Sequence, residues 1–141
     1  MSFDNQLGGN KKRILTCLVQ DEPGVLERIV SLIRRRMFNI ASLAVGSSER
    51  PGFSRMTITV ETEDVEQVRK QLLKLINVIE VVDLTGEDIV VRELALIRVK
   101  AAFANRGEII QLINIFRGNI VDVAPDSLVV EICGSEQKIN A

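Results

Sequence analysis

The chain of 141 residues contains no histidine, no tryptophan and no tyrosine. Without histidine it lacks the side chain most used as a general base near neutral pH, and the commonest transition-metal ligand as well, which argues against an enzyme in its own right. The five phenylalanines are scattered and make no set of base-stacking platforms, so RNA binding is disfavoured. Cys17 and Cys133 stand far apart, with no second cysteine at metal-ligand spacing. They read as buried, reduced, structural thiols and not as a metal site. Eighteen basic residues nearly cancel nineteen acidic ones, leaving no global field to attract nucleic acid or an anionic membrane. No apolar run reaches the length of a membrane span, and the start of the chain has no apolar block of the kind a signal peptide carries. The expectation is a cytoplasmic chain with neither membrane nor nucleic acid as partner, in which residues 1–12 form a flexible arm.

What the sequence does have is apolar patterning. Hydrophobic residues make up 46% of it, enough for a real core. Arg13 to Gln20 alternates as a strand whose two faces both ask for cover, with Ile14 and Leu18 on one and Leu15, Cys17 and Val19 on the other, so it reads as central. From Pro23 the spacing turns helical through Val25, Leu26, Ile29, Val30, Leu32 and Ile33, with Pro23 suited to the first helical position. The helix closes in Arg34, Arg35 and Arg36. These complement the macrodipole or, alternatively, dock a partner.

Asn39 to Val45 and Phe53 to Glu61 read as a hairpin around a turn-rich loop, with Asn39 to Gly46 on an edge. Asp64 and Gln67 resemble a capping box before a helical stripe that reaches Asn77, and Val78 to Leu84 returns as a strand. After a short link the pattern restarts roughly eighty residues from its first beginning. Glu93 to Ala101 is a strand, and Asn105 with Glu108 offers an N-cap pair to a helix that Gly118 ends. Ile120 to Ala124 and Leu128 to Cys133 form a hairpin around Pro125 and Asp126. The fold class is α+β: a ferredoxin-like βαββαβ domain over 13–87, then a second, incomplete βαββ(α) ferredoxin-like domain over 88–141 that reads as truncated inside its next helix.

One stretch carries chemistry, "DEPGVL". Gly24 has no Cβ, and the amides from Gly24 to Leu26 are first-turn donors of a helix, suited to a carboxylate or phosphate. The plainer alternative is a strand-to-helix turn that Pro23 and Gly24 only shape. A P-loop and a dinucleotide fingerprint are excluded by the glycine spacing and the missing lysine–hydroxyl pair.

"DEPGVL", "FNIASLAVG", "SRMTITVE", "VVRELALIRV" and "IFRGNIVDVAPDSLVVEICG", in this order, resemble the regulatory (small) subunit of acetohydroxyacid synthase, also called acetolactate synthase. The resemblance covers nearly everything after the N-terminal arm. It implies an N-terminal ACT domain that binds valine or a related branched-chain amino acid, followed by a smaller domain typical of this subunit. It also implies a homodimer formed through the ACT edge strands, with the ligand between chains. By motif the ligand-binding residues are Asp21, Gly24, Val25 and Leu26 of one chain with Asn39 and Ile40 of the other. Family members often carry asparagine where this chain has Asp21, and an aspartate accepts from an ammonium but repels a carboxylate.

The implied function is non-catalytic: activation of the catalytic large subunit and feedback inhibition by valine. Thiamine diphosphate, FAD and Mg²⁺ would sit on that partner, with no cofactor and no metal on this chain. The alternative is a stand-alone ACT-domain sensor, or a regulator of another biosynthetic enzyme.

Overall fold

A computed structural model describes residues 12–141, so most of the expected arm over 1–12 lies outside the described residues. The described residues divide into two units, the first ending at Asp88 and the second running from Ile89 to Ala141.

In the first unit the order is β1 (Lys12–Gln20), α1 (Val25–Arg35), β2 (Asn39–Ser47), β3 (Phe53–Glu61), α2 (Val65–Leu73) and β4 (Val78–Asp83). The strands form one antiparallel sheet in the order β2-β3-β1-β4, which makes β1 an inner strand and β2 an edge. Period-two alternation turns Leu15, Cys17 and Val19 of β1 and Met56, Ile58 and Val60 of β3 to one face. There they pack with Val25, Ile29 and Ile33 of α1 and Val68 and Leu72 of α2. Both helices therefore cover the same face, as the split βαβ plan requires. The Asp64 side chain accepts from the Gln67 N–H at 3.0 Å and starts α2. That helix ends at Leu73, short of the expected Asn77. The residues after it run through a turn that leaves Ile76 in solvent and buries Asn77.

The second unit holds β5 (Glu93–Lys100), α3 (Arg106–Ile115), β6 (Asn119–Val123), β7 (Ser127–Gly134) and α4 (Glu136–Asn140), with the sheet in the order β5-β7-β6. This is the β1-α1-β2-β3 arrangement repeated. The agreement extends to detail, since both helices leave through a left-handed residue, Met37 at φ 58° and Arg117 at φ 55°. The next N–H closes the turn in each case, from Phe38 to the Ile33 carbonyl and from Gly118 to the Ile113 carbonyl. An asparagine then opens the edge strand and faces a glutamate, Asn39 opposite Glu61 and Asn119 opposite Glu131. A register shift follows in both, between Ile40 and Ser42 and between Ile120 and Asp122.

Gly118 follows the left-handed residue and does not adopt that conformation itself. It is glycine for lack of room, because a Cβ there would lie 3.0 Å from Val130 Cγ1 and 3.2 Å from Ile113 Cγ2. Two local expectations are corrected, at the Asn105 cap and at Cys133. Asn105 is the N-cap of α3 but makes no side-chain cap hydrogen bond, and Glu108 does not complete the pair. Cys133 is exposed, because it alternates outward on β7, whereas Cys17 is buried as expected. Burial pushes the Cys17 thiol up to about 11.

Candidate functional site

The chain leaves β1 at Gln20 and reaches α1 through Asp21-Glu22-Pro23-Gly24. Pro23 is not the first helical residue as the sequence suggests; the helix starts at Val25, with Gly24 as its N-cap at φ 84°. That left-handed geometry is the first reason for glycine at this position, since a Cβ would carry a steric cost there even though it would meet nothing within 4 Å. Three other segments hold the turn in place. The Asp21 N–H donates to the Gly52 carbonyl in the β2–β3 loop (3.0 Å), the Gln20 N–H donates to the Asn77 carbonyl (2.9 Å), and the Arg28 N–H donates back to the Gly24 carbonyl as the first helical bond.

The expected row of three free donors is not complete. The Val25 N–H is engaged by the Glu22 carbonyl at 3.3 Å, as the helix start requires once Gly24 takes its left-handed φ. Among the described residues no protein group accepts from the Gly24 or Leu26 N–H. Gly24 and Leu26 are exposed, while the Val25 side chain is buried in the core. The positive end of the helix dipole and two open donors thus face solvent on one side of the turn, with the exposed Asp21 and Glu22 preceding them.

Asn39 and Ile40 lie elsewhere. Asn39 pairs with Glu61 and Glu61 with Lys12, so they occupy the end of the sheet where β1 begins. The β1–α1 turn is at the end where β1 finishes, on the order of 25 Å away along a strand of this length. One chain therefore brings Asp21, Gly24, Val25 and Leu26 together but not Asn39 and Ile40 with them. Asn39 Nδ2 donates to Glu61 Oε2 at 2.6 Å, which leaves Oδ1 as its remaining acceptor. Beside it runs an open groove of about 420 Å³ between the end of α1 and the start of β2. Val30, Ile33, Met37, Phe38 and Ile40 supply its apolar wall and Arg34 part of its rim.

The edge strand itself is bare. Leu43 and Val45 share the helix-bearing face with Ile58 and Met56, yet both remain exposed. Among the described residues no group of three or more histidine, cysteine or carboxylate side chains is placed to hold a metal ion, and no helix is long and apolar enough to cross a membrane.

Sequence reasoning missed Asn77 and Arg28 as parts of this turn. Asn77 was legible only as a helix end, and its partners are separated from it by some fifty residues of chain.

Comparison with known proteins gives the geometry a context. Residues 15–80 match the family described as AHAS small subunit-like ACT domain, and residues 92–141 match the family described as small subunit of acetolactate synthase. The chain is 50% identical over 135 residues to the acetolactate synthase small subunit of Mycolicibacterium smegmatis, covering 94% of this chain and 79% of that protein. It is 54% identical over 132 residues to the probable acetolactate synthase small subunit of Archaeoglobus fulgidus, covering 92% of this chain and 82% of that one. Among solved structures, the acetolactate synthase small subunit from Thermotoga maritima superposes with a TM-score of 0.86 at 40% identity, over 92% of this chain and 83% of that one.

Proposed function

From the premise that this chain belongs to the family of acetolactate synthase small subunits, we propose that it is a non-catalytic regulatory subunit. In this reading it docks on the thiamine-dependent catalytic subunit, raises its activity and confers feedback inhibition by valine or a related branched-chain amino acid. Thiamine diphosphate, FAD and Mg²⁺ belong to that catalytic partner.

The observation that carries the proposal is the pair of open amides at Gly24 and Leu26, set at the opposite end of the sheet from Asn39 on an unpaired edge strand. Two copies joined antiparallel through β2 place the Asn39 end of one beside the Ser47 end of the other, which is also the end that bears the second copy's β1–α1 turn. A two-fold axis thus reunites what a single chain keeps apart, and it removes an exposed edge at the same time.

Between the copies, the Gly24 and Leu26 amides take the amino acid's carboxylate, and Asp21 or the Asn39 Oδ1 accepts from its ammonium. Ile40 and the groove beside it surround the alkyl side chain. Regulation then needs only that the amino acid bind one arrangement of the assembly better than another, a coupling of about 1 to 3 kcal/mol.

The test is an acetolactate assay of the catalytic subunit with and without this chain, each in the presence and absence of valine. A rate increase that valine then suppresses is the expected result; a rate unaffected by the chain in either condition defeats the proposal. At the site, Gly24→Asp sets a carboxylate beside the open amides, and calorimetry should record loss of valine binding. Unchanged affinity in that variant would remove the turn from the site.

A further inference from the structure

Asn77 joins both sides of the β1–α1 turn, and we propose that it is the positioning residue that sets this turn's geometry and, through it, the affinity for the amino-acid carboxylate. The second half of that statement rests on the reading of the turn given above. Asn77 is 6% exposed in the bend between α2 and β4. Its backbone carbonyl accepts from the Gln20 N–H at 2.9 Å. Its side-chain Nδ2 donates to Gln20 Oε1 at 2.9 Å and, at 3.4 Å, to Glu22 Oε2, while its Oδ1 accepts from Arg28 Nη1 at 2.5 Å.

Gln20 and Glu22 precede the open amides, and Arg28 follows them by one helical turn. Only a carboxamide meets this set of demands, since it accepts from a cation with one atom and donates to oxygens with the other. Buried as it is, each unmade bond would carry a desolvation cost, so the side chain is held in one place.

Two consequences follow for the turn. Gly24 sits at a φ that glycine adopts freely and has open space around it, so packing at the glycine adds nothing to the backbone bonds Asp21 N–H to Gly52 and Val25 N–H to Glu22 in fixing the angle between β1 and α1. Asn77 adds the side-chain constraint, gripping the chain before and after the glycine. It also engages the Glu22 carboxylate, which, once released, is a second anion close to the amides and competes with the ligand.

Asn77→Asp is the informative variant. It keeps the size and the acceptor for Arg28 but sets a carboxylate against Glu22. Valine binding measured by calorimetry on the full chain should weaken by about tenfold, the loss of one part-buried charge-assisted contact. In the ligand-free protein the Asp21 and Val25 amides should exchange with solvent about tenfold faster. Adding Glu22→Gln restores a donor and should bring both readouts back to within about threefold of wild type. A merely structural role would lower the melting temperature with no such rescue.

Should Asn77→Asp fail to fold, Arg28→Gln on the exposed helix surface removes one limb of the clamp, and faster exchange at Asp21 and Val25 is again expected. Unchanged exchange and unchanged affinity in the variants overturn the inference. Wild-type protein that binds no branched-chain amino acid overturns the ligand reading and the affinity claim with it, while the exchange measurement still decides whether Asn77 holds the turn.

Discussion

The two units start a helix from a strand in the same way and then finish the turn differently. In the first, Gly24 stands in the left-handed region, and the Gly24 and Leu26 amides have no protein acceptor among the described residues. In the second, Ala104 occupies the matching place about eighty residues on, and Asn105 at the N-cap has an ordinary negative φ. Arg106 there reaches back so that its Nη2 lies 3.0 Å from the Ala101 carbonyl, 2.7 Å from that of Ala124 and 2.8 Å from that of Pro125. First-turn amides are open at both helix starts, since among the described residues the Arg106, Gly107 and Glu108 N–H groups of α3 have no protein acceptor either. The same backbone plan is thus tied down differently in the two copies, by the distant Asn77 side chain in the first and by the local Arg106 guanidinium on three carbonyls in the second.

The largest expected effect comes from breaking the second of these ties. Arg106→Ala strips three carbonyls of their shared donor and should destabilise the second unit by about 1 to 3 kcal/mol, read by denaturant titration. It should leave valine binding at the first unit unchanged.

An effect that reaches at most the same size separates the two reasons for glycine. Gly118→Ala meets Val130 Cγ1 at 3.0 Å and should cost about 1 to 3 kcal/mol through overpacking. Gly24→Ala meets nothing and should cost only about 1 kcal/mol, from its left-handed backbone. Equal losses at the two positions would mean that packing at Gly118 is looser than its neighbours indicate.

The smallest effect concerns the thiols, one in each unit. A thiol-specific reagent at pH 8 should modify Cys133 rapidly and leave Cys17 untouched in folded protein. The sign of the pH dependence follows from burial. The Cys17 thiol is raised from 9.0 to about 11 on folding, so the folded state holds its proton while the unfolded chain releases it. Its contribution to stability is therefore complete below about pH 9 and is lost as the pH climbs toward 11. Stability that is flat across that window would contradict the burial.

Much of the architecture was legible because it rests on short-range periodicity. The inward set Met56, Ile58 and Val60 follows from alternation alone, and the Asp64 cap follows from a spacing of three residues. The start of α1 was misread for an equally local reason. Proline suits a first helical position, but a glycine directly after it can take the N-cap in a conformation that no other residue adopts cheaply. Cys133 was misplaced because apolar character alone does not say which face of β7 a thiol will join. Of the candidate site, the turn was legible as a glycine-bearing helix start. Its clamp was not, because Asn77 is polar, follows a helix, and gives no sign of what it will touch.

The sequence by itself determined the order and kind of the elements, the repeat of one supersecondary plan, and the presence of a helix start able to meet an anion, since all of these arise from residues within a turn or two of each other. Only the tertiary structure decided that Asn39 and Ile40 lie at the far end of the sheet from Gly24, and that Asn77 reaches the turn. Those facts depend on which strands pair and on hydrogen bonds between residues distant in the chain, and such bonds are chosen by the packing of the whole core.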